Sequence, residues 1–334
     1  MKRITAILAL VLALSSILTA CGQSLPQKTE PEKTESENIS KTKEETQTMT
    51  TPQKPDPATD DTLNILMIGS SFCYYYVEEL YGMLKAAGIR ANVCNVYYSG
   101  CPLEKHWNWW KLGEAHYEYF ITNDGGRQKT PDRSLEWCLK QKNWDIISLQ
   151  ESTSKIFNVG AEKHLETSKR WRTDLWKHLK EQFPQSRYFW HQPWTYQIGT
   201  ASNGYVMKDA AQQQGIADEI RAYAVAVCEE LDLERVNTGD AWQITRNEHG
   251  YDKLCARIGK GVNNEGDYYH DGDVGGGQYL NACVWFEIIT GQSCIGNTYR
   301  PEYRDGTEKL SLSEDLIQTL QESAHKAVEQ RNNG

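Results

Sequence analysis

Two segments of this 334-residue sequence carry the residue types that nucleophilic ester chemistry needs. The first, Gly69-Ser70-Ser71-Phe72, follows a short apolar run and precedes a helical pattern. Ser71 is therefore expected on a tight turn between a buried strand and a helix N-terminus, where backbone N–H groups can hold a developing oxyanion. Capping of the helix by Ser70 or Ser71 is the alternative.

The second segment is Asp267-Tyr268-Tyr269-His270, late in the chain. An aspartate three residues before a histidine lets one loop present an imidazole together with the carboxylate that orients it, as a serine nucleophile requires. His270 is therefore the candidate general base and Asp267 its orienting partner. Because Asp271 and Asp273 also lie near His270, the identity of that carboxylate stays open, and a solvated or cation-binding loop is the alternative.

Two further positions could donate hydrogen bonds to an oxyanion. In the turn Ser99-Gly100-Cys101-Pro102, the glycine lets a backbone N–H approach a ligand closely. Gln150 follows another apolar run and carries a donor amide. The sequence contains no Gly-x-Ser-x-Gly, so the nucleophile turn of the α/β-hydrolases is not supported.

Alternating apolar runs and helical patterns predict the elements that must position these residues. Strands are expected at residues 63–68, 90–98, 144–149, 187–191 and 234–237. Helices are expected at residues 77–87, 134–141, 163–183, 210–231, 276–290 and 313–330. The sequence therefore predicts an α/β fold, a three-layer α/β/α sandwich with a central parallel sheet of about five strands. In such sheets, ligands bind beyond the carboxyl ends of the strands.

In their order along the chain, these segments resemble the blocks of the SGNH (GDSL-type) hydrolase superfamily, from about residue 63 to residue 291. The resemblance implies a flavodoxin-like domain and a serine hydrolase that needs no metal or organic cofactor. It also implies that Ser71 is the nucleophile, that the Ser71 and Gly100 N–H groups form the oxyanion hole, and that His270 and Asp267 complete the triad. Residues 277–282 resemble the helix start of a poorly characterised branch of the superfamily.

The sequence departs from the superfamily pattern in two places. Ser70 stands where the superfamily has Asp or Asn. The third block lacks Gly-x-Asn-Asp and reads Leu149-Gln150-Glu151-Ser152, so the side-chain oxyanion donor is absent unless the longer Gln150 amide replaces it. Loss of one such donor lowers a rate by roughly two to three orders of magnitude, so low activity or a restricted substrate range is expected.

The sequence is rich in aromatic residues that could form a substrate surface, with 11 Trp and 18 Tyr. Trp107, Trp109 and Trp110 lie shortly after the Gly100 turn. Clustered Trp rings beside a hydrolase cleft indicate stacking on sugars, and packing beneath neighbouring elements is the alternative. His191 ends the fourth predicted strand, where it is expected either to line the cleft or to bond the backbone in the core.

Residues 1–20 have the pattern of an export signal: Lys-Arg, an apolar run and a small-residue cleavage site. Leu18-Thr19-Ala20-Cys21 resembles the lipobox of bacterial lipoproteins, which implies that Cys21 is acylated and anchors the protein to the outer side of the cell membrane. An ordinary secretory peptide or an uncleaved anchor is the alternative. Residues 21–61 predict a disordered linker because they hold no aromatic residue, and residues 62–334 predict one hydrolase-like domain.

Composition excludes two classes of protein but does not decide whether the cysteines form disulfides. The net charge is −9, the pI is near 5.5 and no dense Lys/Arg run occurs, so nucleic acid is not an expected partner. A mean hydropathy of −0.66 excludes an integral membrane bundle. The eight cysteines besides Cys21 permit disulfides outside the cytoplasm, although Cys228 and Cys283 fit buried thiols better. No Cys-x-x-Cys pair supports a structural zinc site.

Together these features predict a serine esterase that removes ester-linked acyl groups, with O-acetyl groups on an extracellular or cell-wall polysaccharide as the favoured substrate. Two alternatives stay open. The first is a non-catalytic glycan-binding surface lipoprotein with a degenerate site. The second is a lipase or thioesterase, which would need an exposed aliphatic channel where this sequence offers mainly Trp and Tyr.

Overall fold

The computed structural model describes residues 61–250, except 197, 199–200 and 203–204, together with residues 276–305 and 308–331. In these ranges the strands are β1 (Leu63–Gly69), β2 (Ala91–Tyr97), β3 (Ala115–Asn123), β4 (Gly126–Ser134), β5 (Ile146–Leu149), β6 (Arg187–His191), β7 (Ala201–Ser202), β8 (Tyr205–Val206), β9 (Glu234–Val236), β10 (Glu302–Asp305) and β11 (Glu308–Ser311). The helices are α1 (Val77–Ala86), α2 (Leu103–Leu112), α3 (Leu135–Leu139), α4 (Thr153–Val159), α5 (Ala161–Gln182), α6 (Ala210–Leu231), α7 (Thr238–His249), α8 (Gly276–Thr290) and α9 (Glu314–Gln330).

Seven of the described strands form one sheet, in the order β4-β3-β2-β1-β5-β6-β9. Strands β2, β1, β5, β6 and β9 are parallel, whereas β3 and β4 join the β2 edge antiparallel. Counted along the chain, the parallel strands lie in the order 2-1-3-4-5, which is the flavodoxin-like order. The predicted α/β class with five central parallel strands is confirmed.

The helices form a layer on each face of this sheet. Helices α1, α7, α8 and α9 contact one another on one face, and α2, α4, α5 and α6 form the other layer. This division follows from right-handed crossovers, because α1 connects strands in one direction along the sheet whereas α5 and α6 connect them in the other. The central strands are buried on both sides, as the continuous apolar run Ile65-Leu66-Met67-Ile68 of β1 requires.

The β3–β4 hairpin and α2 were not predicted from the sequence. Strand β4 reads GRQKTPDRS and lies at the edge of the sheet, largely in contact with solvent, so no apolar pattern marks it. Its Pro131 is tolerated because an edge strand has one side without a ladder partner. Helix α2 contains the Trp cluster, and Gly113 ends it in the left-handed conformation with φ +68°, a stop signal that the sequence does contain.

The cysteines of the described residues are all free thiols: Cys73, Cys94, Cys101, Cys138, Cys228, Cys283 and Cys294. Cys283 is buried, as its apolar helical context predicts, whereas Cys228 is partly exposed. No disulfide therefore forms among these seven residues, and Cys21 and Cys255 lie outside the described residues. None of the helices in the described ranges is long and apolar enough to cross a membrane.

Candidate active site

The serine segment leaves the sheet at the carboxyl end of β1. Ser70 is extended, and Ser71 begins a 3-10 turn that ends at Cys73. Neither serine caps a helix, because the Ser70 side chain makes no capping bond and α1 begins only after Tyr76. As the first residue of its turn, Ser71 has an N–H group without an intrahelical acceptor. Ser71 as a whole residue is 8% exposed, so it is nearly enclosed.

Aromatic packing and one side-chain hydrogen bond fix this turn. The buried ring of Phe72 lies edge-on to Trp194, with the centroids 4.6 Å apart, and stacks on Tyr196 at 5.9 Å. The Asn95 amide donates a hydrogen bond of 2.5 Å to the Cys73 carbonyl oxygen. The residues on the C-terminal side of Ser71 are therefore held by groups from two other parts of the chain.

Gln150 contacts the serine turn from the neighbouring strand β5. Ile68 pairs with Leu149, so Gln150 follows β5 beside the end of β1. The Ser70 N–H donates to the Gln150 Oε1 at 3.0 Å, and the Ser70 Oγ lies 3.3 Å from the same oxygen. Gln150 has 0% exposure. Among the described residues nothing pairs with its Nε2, which is a buried amide donor beside the serine turn.

Gly69 makes this approach possible. A Cβ atom at position 69 would lie 2.4 Å from the Gln150 Oε1 and 3.2 Å from the Cys73 Sγ. No side chain fits at these distances, so only glycine lets the Gln150 amide reach the backbone of the serine turn.

The Gly100 turn lies on the other side of β1. Tyr97, the last residue of β2, pairs with Gly69, and Gly100 follows three residues later with φ +60°. That left-handed conformation favours glycine. Ser71, Gly100 and Gln150 therefore follow three adjacent strands, β1, β2 and β5, at the carboxyl edge of the sheet.

Two thiols near Ser71 are poor competitors for the nucleophile role. Burial raises the pKa of Cys73 to about 12, and the thiol donates to the Ser70 carbonyl oxygen at 3.1 Å. Burial also raises the pKa of Cys101, in the Gly100 turn. Both thiols are protonated near neutral pH, and the thiolate is the reactive form of cysteine.

His191 is a core residue rather than part of an open surface. Its ring has no exposed area and lies 5.7 Å from Tyr76 and 5.6 Å from Trp285, centroid to centroid. The Thr238 hydroxyl donates to the Gln192 carbonyl oxygen, so it accepts a hydrogen bond from the His191 Nε2 at 2.9 Å. Of the two expectations for His191, the structure supports the core histidine, although its partner is a side chain and not the backbone.

The three tryptophans of α2 point to different neighbours. The Trp107 indole donates to Asp174 of α5 at 2.9 Å, and the Trp110 indole donates to Glu136 of α3 at 3.0 Å. Trp109 instead lies edge-on to Tyr98 at 4.8 Å, two residues before Gly100. Trp107 and Trp110 therefore hold α2 against other helices, and Trp109 alone of the three lies beside the Gly100 turn.

The segments that build this edge lie within residues 64–314, which match the family described as "Domain of unknown function (DUF4886)". The chain belongs to the DUF4886 family. The crystal structure of a DUF4886 family protein from Bacteroides uniformis ATCC 8492 is similar, with a TM-score of 0.63 and 24% identity over 80% of this chain and 95% of that chain. At this identity the similarity shows a shared fold.

Weaker similarities connect this DUF4886 chain to solved structures described as hydrolases. A protein from Parabacteroides merdae ATCC 43184 described as a GDSL-like lipase has a TM-score of 0.44 and 15% identity over 69% of this chain and 95% of that chain. The acetyl xylan esterase AlAXEase has a TM-score of 0.43 and 10% identity over 68% of this chain and 100% of that chain. No curated protein matches the sequence.

The expected base and its partner lie outside the described residues of the DUF4886 chain. Asp267 and His270, with Asp271 and Asp273, fall between the end of α7 and the start of α8, in residues 251–275. Their roles stay predictions. Within the ranges that the structure does describe, no group of His, Cys, Asp and Glu side chains is arranged to hold a metal ion.

The structure adds residues that the sequence analysis did not single out. Asn95 holds the serine turn, and Tyr98, near Gly100 in the chain, is 36% exposed. Glu151, directly after Gln150, is buried and pairs with the buried His164 of α5. The sequence does contain a signal for Glu151, because a glutamine and a glutamate stand next to each other directly after a predicted strand. Nothing in the local pattern marks His164, because its partner is 13 residues away and on another element.

Two buried histidines predict acid sensitivity. Burial lowers the pKa of His106 and of His191 to about 3, with Lys105 adding a smaller effect at His106. In the unfolded chain histidine titrates near pH 6.5, so the unfolded state takes up protons that the folded state does not. As the pH falls below 6.5, the free energy of unfolding should decrease by up to about 1.4 kcal/mol per pH unit for each histidine. Urea unfolding from pH 7.5 to 4.5 measures this slope.

The variant His191→Gln keeps an amide donor near the Nε2 position and removes the titrating group. Its pH slope should be smaller than that of the wild type by about 1 kcal/mol per pH unit, whatever its stability at pH 7.5. Equal slopes for the variant and the wild type would contradict a neutral His191 in the folded protein.

Proposed function

We propose that this DUF4886 protein is a serine esterase that removes O-acyl groups, acetyl in particular, from an extracellular or cell-wall polysaccharide. The observation that carries the proposal is the unpaired amide nitrogen of Gln150. Its oxygen is already bound by the Ser70 N–H at 3.0 Å, and the nitrogen is buried beside the serine turn without a partner in the described part of the chain. An oxyanion hole needs a preorganised donor of this kind.

The order of the sequence blocks supports the same chemistry. Ser71 is the nucleophile, its N–H and that of Gly100 are the backbone donors, and Gln150 replaces the missing third-block Asn. His270 accepts the Ser71 hydroxyl proton while the Ser71 Oγ attacks the ester carbonyl carbon, and the carbonyl oxygen becomes the oxyanion. Collapse of that intermediate expels the alcohol, which takes the proton from His270. Water, deprotonated by His270, then attacks the acyl carbon; the bond to the Ser71 Oγ breaks, the acid leaves, and the Oγ takes the proton back from His270.

The surface beside Gly100 supports a sugar-bearing substrate. Tyr98 and Trp109 lie edge-on to each other at 4.8 Å, and the Lys105 ammonium lies 5.1 Å and 5.3 Å from their ring centroids. Exposed aromatic faces bind the apolar faces of sugar rings, whereas an acyl chain needs an aliphatic channel. Tyr98 is exposed, and Trp109 is partly buried against His116 and Tyr117. We define the Tyr98–Trp109 pair as the aromatic platform.

The variant Ser71→Ala tests the nucleophile. A fluorophosphonate probe should label the wild type, and the wild type should release acetate from p-nitrophenyl acetate and acetylated xylan. Ser71→Ala should lose the label and lose turnover at least 1,000-fold, on the order of the effect of removing a catalytic triad member. Ser70→Ala is the matched control, because Ser70 is the neighbouring serine and its hydroxyl faces Gln150.

Three outcomes of this experiment are informative. Loss of labelling and turnover in Ser71→Ala, with labelling retained in Ser70→Ala, supports Ser71 as the nucleophile. Loss of labelling and turnover only in Ser70→Ala would assign the nucleophile to Ser70 instead. A wild type that neither labels nor turns over would contradict the esterase, and binding of the unmodified wild type to xylan would then favour the glycan-binding alternative.

The aromatic platform makes a separate prediction about substrate class. Replacing Tyr98 or Trp109 with Ala should raise KM for acetylated xylan roughly tenfold, about 1.4 kcal/mol, and leave p-nitrophenyl acetate turnover within about twofold. Trp110→Ala is the control, because its indole is bound to Glu136. Trp110→Ala should be less stable than the wild type, but it should not affect acetylated xylan more than p-nitrophenyl acetate. Equal losses on both substrates in Tyr98→Ala and Trp109→Ala would assign the platform a packing role.

The N-terminal pattern supports a location for this activity. Cys21 is the lipidated residue in our proposal, residues 22–61 are the spacer, and residues 62–334 act on the outer side of the bacterial cell membrane. The full chain can be expressed in a bacterium that is grown in medium containing an alkyne fatty acid. The wild-type protein should then carry the alkyne label, and the Cys21→Ser variant should not. An unlabelled wild type would contradict the lipid anchor and leave the esterase proposal untouched.

A further inference from the structure

A buried carboxylate connects two turns of the candidate site. Glu151, with 1% exposure, follows Gln150 at the carboxyl end of β5. Its Oε1 accepts hydrogen bonds from the Leu103 N–H at 3.1 Å and from the Ser152 N–H at 2.7 Å, and its Oε2 lies 2.8 Å from the His164 Nε2. One carboxylate therefore contacts its own turn, the start of α2 and helix α5.

The contact with Leu103 fixes the Gly100 turn. Leu103 is the first residue of α2 and lies three residues after Gly100. The helix N-cap is Pro102, whose side chain cannot accept a capping bond. The first N–H of α2 therefore needs an acceptor from elsewhere, and Glu151 supplies it across the carboxyl edge of the sheet. This hydrogen bond joins the start of α2, three residues after Gly100, to the turn that contains Gln150.

His164 fixes the other end of the carboxylate. It is buried in the first turns of α5, with its ring 5.2 Å from that of Tyr223 in α6. A buried carboxylate without partners is costly, and here both oxygens are bound. Two helices of one layer thereby hold Glu151 in a single orientation.

A similar arrangement of a buried glutamate, a backbone N–H and a histidine occurs at the opposite edge of the sheet, although His325 is more exposed than His164. The Glu287 Oε1 accepts a hydrogen bond from the Cys294 N–H at 2.7 Å and lies 3.1 Å from the His325 Nδ1. Glu287 is near the end of α8, where Arg187, the first residue of β6, donates to the Ile289 carbonyl oxygen. This pair is thus at the amino end of the strands and supports a loop that has no part in the candidate site.

We propose that Glu151, held by His164, is a positioning residue for the oxyanion hole: it keeps the Gly100 N–H at a fixed distance from the Gln150 amide and Ser71. The inference rests on the proposed function, because it concerns the same site. Glu151 does not touch the substrate. It acts through the start of α2, and its removal lets the Gly100 donor move away from the oxyanion. A displacement of about 1 Å of such a group lowers a rate by about 100-fold.

Glu151→Ala and Glu287→Ala form a matched pair of variants for the test. Each removes a buried carboxylate that binds a backbone N–H and a histidine. In the intact protein, Glu151→Ala should lower kcat for p-nitrophenyl acetate about 100-fold, with KM within about twofold, and thus approach Gln150→Ala, which removes a donor outright. Glu287→Ala should lower stability by a similar amount and leave kcat within about twofold.

Glu151→Gln provides the rescue. It keeps an oxygen that can accept from Leu103 and Ser152, and its amide nitrogen takes the place of the oxygen that faces the His164 ring. Its kcat should recover to within about tenfold of the wild type. If Glu151→Ala does not fold, Glu151→Asp and Glu287→Asp replace the alanine pair. Aspartate keeps the charge, but its side chain is one methylene shorter and cannot reach the same partners. In this pair, kcat should fall at least tenfold only in Glu151→Asp.

The outcomes separate this inference from the proposed function. Equal losses of kcat in the Glu151 and Glu287 variants would overturn the positioning role. So would a Glu151→Ala variant that changes only KM. In both cases, turnover by the wild type would still support the esterase. A wild type without turnover or fluorophosphonate labelling would overturn the esterase, and the positioning role with it.

Discussion

The hydrogen bond from the Ser70 N–H to the Gln150 side-chain oxygen holds the ends of β1 and β5 together, and the geometry of the candidate site depends on it. An amide group is planar, so fixing its oxygen also fixes the position of its nitrogen. The bond requires that position 69 have no Cβ, because a Cβ would lie 2.4 Å from that oxygen. A glutamine is longer than the asparagine of the SGNH pattern that the sequence resembles, and here its oxygen is bound to the serine turn itself while its nitrogen has no partner among the described residues.

The groups around this bond make the site rigid. Below the serine turn, Phe72 packs on Trp194, which stacks face to face on Trp242 at 4.9 Å with an angle of 3° between the rings. The neutral ring of His191 lies in the same buried aromatic region, 6.4 Å from Trp194. Electrostatic catalysis needs donors that are already in place before the reaction starts, and large interlocked rings with few rotatable bonds provide such a support.

Helix α2 is attached to its neighbours at its first residue and through two of its tryptophans. Its Trp107 and Trp110 bind acidic side chains of α5 and α3, and its first N–H is bound by Glu151. With its first N–H and two of its indoles bound, the helix holds Trp109 against Tyr98, two residues before Gly100. The three tryptophans therefore contact different neighbours, because each ring leaves the helix in a different direction.

The sequence by itself determined the order of the parallel strands along the chain and the bounds of α6 and α8, because buried strands are continuously apolar and long helices have a clear period. It also determined that Ser71, Gly100 and Gln150 follow strands. Only the tertiary structure decided which side chains meet there. Strand β4 is exposed and polar, and the partners Glu151–Leu103 and Ser70–Gln150 are 48 and 80 residues apart, so local periodicity carries no information about them. Such contacts arise from strand register, which places distant turns side by side at the carboxyl edge of one sheet.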